Sequence, residues 1–387
     1  MRVVLFVIFS AAAWAQTYAD NLATDHPAIH YSRGPFSDPI AMLEAQLERG
    51  ETKLDYTDGG AGYLPSLLTL LGINADSQAL VFSKTSFQAP RISPKNPRAV
   101  YFGDNAAVGF VRGGDVLEVA SLDPLQGIVF YSLGAAKTDQ PRFTRRNECL
   151  RCHQGPATLG VPGIFVGSVY PGATGLPDRT EAIITDHSTA FEDRWGGWFV
   201  NALHGEQKDR ANAVANDPEE PHRLELLGRR AFNPTGYLSE VSDIVALMTL
   251  EHQTKMTNLL VRLGWEARMG KETGNDTSRA VEDAASYMMF ADEVPLKEPI
   301  QGVSTFTNTF PQRGPKDRQG RSLREFDLQT RLFKYPLSYM IYSPVFDALP
   351  EPLRLAIYER IFKKAQGTAV AEILRDTKKD LPACWKK

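Results

Sequence analysis

Residues 149–153 form the pattern C-x-x-C-H, and no other segment constrains this chain as strongly. Cys149 and Cys152 are three positions apart, so their thiols can reach the two vinyl groups of one protoporphyrin and form thioether bonds. His153, directly after the second thiol, would then lie under the iron as its fifth ligand. Chance is a poor explanation for the pattern in a chain with only three cysteines and seven histidines. The motif predicts one covalently attached haem c.

Two other kinds of site also use paired cysteines. A thioredoxin-like redox pair lies where a strand opens a βαβ unit, whereas this pair follows the polar run 142–148. A structural zinc site needs four ligands, and the sequence has no second C-x-x-C pair. A local disulfide or metal knuckle is the remaining alternative. The third cysteine, Cys384, is expected to be a free thiol on a frayed C-terminal tail.

The N-terminus has the composition of a secretory signal peptide. A short positive start precedes the apolar run 3–13, and residues 13–15 (Ala-Trp-Ala) fit the small-x-small cleavage rule, with Ala19 as a second candidate site. We expect residues 1–15 to be a signal peptide and the mature protein to be periplasmic or secreted. A retained anchor is the alternative, although the apolar run is too short to span a bilayer comfortably.

Composition limits the function classes further. The net charge of −3 gives no argument for binding nucleic acid or an anionic membrane surface. No other segment approaches eighteen apolar residues, so we expect no stable membrane insertion after signal cleavage. The hydrophobic content of 43% allows a sizeable core in one large or two ordinary domains.

The order of patterns along the chain predicts an α+β fold. Short β-rich runs separated by turn signals lie between residues 79 and 133 and indicate an antiparallel sheet. We expect residues 20–135 to form a mixed α/β-rich region and residues 136–380 to form the haem-binding region, irregular as far as about 236 and then mostly helical. The first predicted helix begins at Ser37 or Asp38 and ends at Gly50, and the others are 64–71, 239–263, 277–291 and 350–376.

The helix at 239–263 supplies the first candidate for a distal iron ligand. His252 lies on an apolar stripe at helical spacing, and a core histidine is the alternative interpretation. We expect Ser242 to cap this helix and Gly264 to end it. Rival ligands are other histidines and methionines after the motif, namely His187, His204, Met248, Met256 and Met340.

Four arginines crowd the attachment motif in the sequence: Arg142, Arg145, Arg146 and Arg151. They are suited to pair with haem propionates or to form a docking face for an acidic redox partner. A solvated surface run is the alternative interpretation. Arg194 is a further candidate for the propionates.

The motif at 149–153 resembles the attachment site of c-type cytochromes. The segments 160–163, 194–198 and 250–253 are similar to a large mono-haem family of exported bacterial proteins described as cytochrome c domain-containing. The resemblance implies haem binding and electron transfer, and it names no substrate. Unlike the small soluble cytochromes c, this chain carries its motif far from the N-terminus, and the first methionine after it is Met248.

Two function classes follow from these observations. The first is an exported electron carrier with a six-coordinate iron that exchanges electrons with a redox partner protein. The second is a periplasmic haem oxidoreductase, peroxidase-like, with an open distal site shaped by His252, Glu251 or an arginine. Chain length favours the enzyme, since a carrier does not need so many residues, whereas the absence of a second C-x-x-C-H counts against a di-haem peroxidase.

Overall fold

The chain adopts the predicted α+β fold, with an antiparallel sheet in the N-terminal half and helices in the C-terminal part. The computed structural model describes residues 21–217, 219–220, 222–228, 231–273 and 276–386. The predicted signal peptide, residues 1–15, lies outside them.

Eleven strands are present in the described residues. They are β1 (Ala79–Val81), β2 (Arg98–Phe102), β3 (Ala106–Val111), β4 (Val116–Asp123), β5 (Gly127–Gly134), β6 (Phe143–Arg145), β7 (Val166–Pro171), β8 (Pro177–Thr185), β9 (Trp198–Phe199), β10 (Ala213–Ala215) and β11 (Leu224–Leu226). Seven form the main sheet in the order β6-β5-β4-β3-β2-β1-β9, with every neighbouring pair antiparallel. The predicted antiparallel sheet is therefore confirmed.

The segment 136–236 is more ordered than its glycines and prolines indicated. Strands β7 and β8 pair as a hairpin directly after the C-x-x-C-H motif, and β10 and β11 form a second, shorter one. Four of the six residues of β7 are buried, and the pairing with β8 has a register shift between Val169 and Pro171. Strand β9 then returns to the main sheet beside β1.

Nine helices follow the strands or separate them in the described residues. They are α1 (Pro39–Glu48), α2 (Leu64–Leu70), α3 (Leu150–His153), α4 (Ile244–Thr273), α5 (Ser278–Met288), α6 (Phe306–Thr309), α7 (Pro344–Asp347), α8 (Glu351–Ala365) and α9 (Ala369–Thr377). The single helix expected at 350–376 is two helices, because Gly367 between them takes a φ of +77° that ends the first.

Both predicted ends of the long helix α4 are wrong. Asp243, not Ser242, caps its N-terminus: Asp243 Oδ1 accepts a hydrogen bond from Val245 N at 2.8 Å. The hydroxyl of Ser242 instead accepts a hydrogen bond from Leu80 N in strand β1. Gly264 does not end the helix either, because α4 continues to Thr273.

One hydrophobic core joins the sheet to the helices. It extends from Ile29 to Trp385 and includes residues of α4 such as Leu247 and Leu260, both fully buried. The C-terminal tail is not frayed as expected, because Trp385 packs against Phe362 with ring centroids 5.1 Å apart.

We predict that Asp243→Ala lowers the free energy of unfolding by about 3 kcal/mol. The substitution removes the cap of α4, and it also leaves Val303 N and Ser304 N without the Asp243 Oδ2 acceptor that they share. Denaturant unfolding measures the change. Asp139→Ala, in an exposed loop, is the control. A loss below about 1 kcal/mol would contradict this account of the cap.

Candidate functional site

The C-x-x-C-H motif lies just after strand β6, at the edge of the main sheet. Arg146 N donates to Phe130 O in β5 at 2.8 Å, and the chain then turns into the short helix α3. Helical geometry places Cys149 and Cys152 on one side of this turn. Both thiols are free, with Cys149 half-buried and Cys152 exposed. The two sulfurs are therefore available to one ligand.

The electrostatic surroundings of Cys149 do not suit a redox-active cysteine pair. Burial, followed by the Glu148 carboxylate, raises the pKa of Cys149 to about 11. Redox-active pairs contain a thiol of lowered pKa, because the thiolate is the reactive form. The half-buried thiol thus stays protonated at neutral pH, which argues against the thioredoxin-like alternative.

The protonation of His153 is fixed by a backbone carbonyl. Its Nδ1 lies 3.0 Å from Gly163 O, and its ring packs against Phe130 and Phe165 with centroid distances of 4.9 and 5.5 Å. Burial lowers the pKa of His153 to about 4, so the imidazole is neutral at neutral pH. A carbonyl only accepts, so Nδ1 must carry the proton and Nε2 keeps its lone pair. That is the form in which histidine binds a metal.

The loop 155–164 holds this carbonyl in place. Thr158 Oγ1 donates to Val161 O at 2.7 Å inside the loop. Two side chains of helix α4 fasten the loop from outside: Asn258 donates to Ile164 O, and Arg262 donates to Leu159 O. The loop therefore acts as a rigid bracket between the motif and α4.

Glycine at position 163 leaves room for the side chain of Asn258. A Cβ built there would lie 2.1 Å from Asn258 Oδ1, so a larger residue would have to displace that side chain. The sequence motif at 160–163 pointed to this segment, but the contact with His153 joins residues that no local pattern connects. Phe130 and Phe165 were missed for the same reason.

The arginines that cluster in the sequence separate in the structure. Arg142 pairs with Glu48 at 2.8 Å, and Arg145 donates to Tyr31 O while lying over the Phe36 ring. Arg146 donates to Ser132 Oγ in β5. These three arginines therefore bind the protein itself. Only Arg151 of the four is exposed without a hydrogen-bond or ion-pair partner among the described residues.

His252 lies in a buried cluster of its own. Its Nδ1 is 3.0 Å from Nδ1 of His187, and its Nε2 is 2.7 Å from Ser338 Oγ. The Tyr287 ring stacks on both imidazoles, and the Phe290 ring stacks on His252 and packs at a tilt against His187. Burial lowers the pKa of both histidines, that of His187 to about 4. No sequence pattern predicted that His187 and His252 form a pair, or that Tyr287 and Phe290 lie against them.

Iron ligation by His252 would require one of its two hydrogen bonds to break. Among the described residues, none of the aromatic rings that contact His252 is a ring that packs on His153. The distal role of His252 thus stays a prediction. Three of the rival ligand candidates are methionines that are at least 95% buried in the core, namely Met248, Met256 and Met340. Another rival, His204, lies 3.8 Å from the carboxylate of Asp209.

A buried ion pair lies beside the two histidines. Glu251 and Arg194 are at most 2% exposed, with Glu251 Oε2 3.3 Å from Arg194 Nη1. Arg194 also donates to the backbone oxygens of His187 and Thr189. Burial raises the pKa of Glu251 to about 7, and the Arg194 guanidinium limits the rise. Arg194 is thus committed to the core, which removes it from the candidates for the propionates.

No protein-family model, curated protein or solved structure shows significant similarity to this chain. Within the described part of the chain, every helix is too short or too polar to cross a membrane. The same residues contain no group of three or more histidine, cysteine or acidic side chains placed to hold a bare metal ion.

The buried carboxyl of Glu251 gives a pH-dependent prediction. Its pKa is 4.5 when exposed and about 7 in the folded chain, so the folded state retains the proton while the unfolded state loses it. The stability that this proton provides is complete below pH 4.5 and is lost as the pH rises through 7. Relative to wild type, Glu251→Gln should therefore gain roughly 2–3 kcal/mol between pH 4.5 and pH 8.

Unfolding titrations of both proteins across this range measure the difference. His187 and His252 act in the opposite direction, because they resist protonation in the folded state, but their contribution is common to both proteins. Glu359→Gln, on the exposed face of α8, is the matched control. If the difference in free energy of unfolding between wild type and Glu251→Gln does not change with pH, the prediction of a buried carboxyl that is protonated in the folded state is refuted.

Proposed function

We propose that this chain is an exported mono-haem c-type cytochrome that transfers electrons. Cys149 and Cys152 would hold the haem through thioether bonds, and His153 would be the proximal iron ligand. The observation that carries the proposal is the hydrogen bond from His153 Nδ1 to Gly163 O, 3.0 Å long. This bond leaves Nε2 as a lone-pair donor next to two free thiols.

The donor set fits the group. A haem supplies a one-electron iron couple, and its axial positions accept a neutral imidazole. The chain's own residues would orient that imidazole: Gly163 fixes the tautomer and the ring plane, while Phe130 and Phe165 shield the ring from water. Partners of this kind around a ligating histidine raise its basicity and hold its orientation.

The surface position of the motif supports an electron-transfer role. Because Cys152 is exposed, the attachment point can be approached by another protein. Arg151 is the exposed cation beside it, and it would favour an acidic surface on the redox partner. The proposed location is the periplasm or the outside of the cell, where the signal-like residues 1–15 would direct the chain.

A haem oxidoreductase, peroxidase-like, is the second candidate function. It is favoured by the two hydrogen bonds of His252, which occupy both ring nitrogens inside the core. If His252 keeps these bonds, it does not close the iron, and a small molecule can reach the sixth position. The two functions therefore differ in whether the sixth coordination position of the iron is open to a small molecule.

Covalent attachment is the first test of the proposal. Protein expressed with a haem-attachment system should keep its haem through denaturation and acid-acetone extraction. Cys149→Ala and Cys152→Ala should each weaken that attachment, because each removes one thioether bond, and the double variant should release the haem completely. Absorbance of the extracted protein and its intact mass measure the result.

Cys384→Ala is the matched control for these substitutions, because Cys384 is a free and exposed cysteine outside the motif. It should keep haem as wild type does. Complete loss of haem from wild type on extraction would rule out the proposed attachment.

Carbon monoxide binding distinguishes the two candidate functions. A ferrous protein with His252 as sixth ligand should be low-spin and bind carbon monoxide poorly, and His252→Ala should convert it to a high-spin form that binds it. Rapid binding by wild type would instead support the oxidoreductase. A low-spin spectrum that is unchanged in His252→Ala would reject His252 as the ligand. Absorption spectra of the reduced protein with and without carbon monoxide give the answer.

A further inference from the structure

One face of the main sheet lies against the C-x-x-C-H motif. Phe130 of β5, which packs on His153, shares this face with Ser132, which accepts a hydrogen bond from Arg146. Strand register places Glu118 of β4 directly opposite Ser132. Glu118 is thus a diagonal neighbour of Phe130, with about 7–8 Å between such positions. A carboxylate therefore lies on the sheet surface next to the motif.

Glu118 is held by three donors and forms an ion pair. Its Oε2 accepts a hydrogen bond from Arg98 Nη1 at 2.8 Å, and its Oε1 accepts from Ser86 Oγ at 2.6 Å and from Gln88 Nε2 at 2.9 Å. The side chains of Arg98 and Glu118 are only 21% and 17% exposed. Water and salt screen such a pair less than they screen a surface pair.

Arg98 retains hydrogen-bonding capacity on this face. Its Nε is buried and has no hydrogen-bond partner among the described residues. The ion pair lies on the sheet face that carries Phe130, and the Phe130 ring packs on His153. Both charges are therefore held near the imidazole by the sheet.

We propose that Arg98 and Glu118 each shift the midpoint potential of an iron held by His153, in opposite directions. The inference rests on the proposed haem attachment and names two positioning residues that no sequence motif marks. Neither residue touches the iron in this role. They act through their fixed charges on the sheet surface beside the proximal imidazole.

The sign of each effect follows from the charge of the iron. Ferric iron carries one more positive charge than ferrous iron, so the Arg98 cation favours the ferrous state and the Glu118 carboxylate favours the ferric state. At about 10 Å and an effective dielectric constant of about 20, one charge changes the reduction equilibrium roughly tenfold. For a one-electron couple, a tenfold change is about 59 mV. In the intact pair the two effects oppose each other.

Redox titrations of the haem-loaded protein at pH 8 test the inference. Arg98→Gln should lower the midpoint potential by an amount that corresponds to about a tenfold change in the reduction equilibrium. Glu118→Gln should raise the midpoint potential by a similar amount. Arg98→Lys keeps the cation and should titrate like wild type. The double variant Arg98→Gln/Glu118→Gln should return close to the wild-type potential.

The exposed ion pair of Arg91 and Asp115 provides the control, with side chains 46% and 76% exposed. The midpoint potential of Arg91→Gln should differ from that of wild type by only a small fraction of the shift seen in Arg98→Gln. If Glu118→Gln does not fold, Arg98→Lys/Glu118→Gln keeps a cation without its partner and should still raise the potential.

The two proposals fail in different ways. Haem-loaded Arg98→Gln and Glu118→Gln that titrate at the wild-type potential, or that both shift in the same direction, would overturn the charge-pair inference alone. Wild-type protein that carries no covalent haem would instead overturn the proposed function.

Discussion

The hydrogen bond between His153 and the Gly163 carbonyl determines what the C-x-x-C-H motif can do. Without it, the imidazole could rotate, and either ring nitrogen could carry the proton. With it, one nitrogen is committed and the other is presented as a neutral donor. Since the carbonyl is itself held by the 155–164 bracket, the chemistry of a surface motif depends on backbone placed by the interior of the protein.

Helix α4 connects that bracket to the buried cluster around His252. Near its N-terminal end it carries Glu251 and His252, and two turns later Asn258 reaches the bracket. Burial around Glu251 and His252 opposes the charged forms of both histidines and of Glu251, whereas Arg194 supplies a fixed positive charge. One helix thus joins a polar core cluster to the residues that hold the loop against His153.

Patterns confined to a few residues predicted the fold well. Strands β2 to β5 were evident from apolar runs separated by glycine and aspartate turns, and the sequence placed the start of α1 at Ser37 or Asp38, of which Asp38 is the cap. The C-x-x-C-H motif was equally local. The start of α4 was not predicted correctly, because Ser242 and Asp243 are adjacent residues that can both cap a helix. Ser242 instead binds Leu80 in the distant strand β1, and Asp243 is the cap. The same limit applies to the site: the contacts of His153 with Gly163, and of Glu118 with Arg98, depend on loop closure and strand register.

The close approach at Gly163 also has a consequence for substitution. A Cβ there would lie 2.1 Å from Asn258 Oδ1, so a larger residue would have to displace the Asn258 side chain. The same side chain donates the hydrogen bond that holds Ile164 O. A substitution at position 163 would therefore act on the loop twice, once at its own backbone and once by disturbing the side chain that ties the loop to α4.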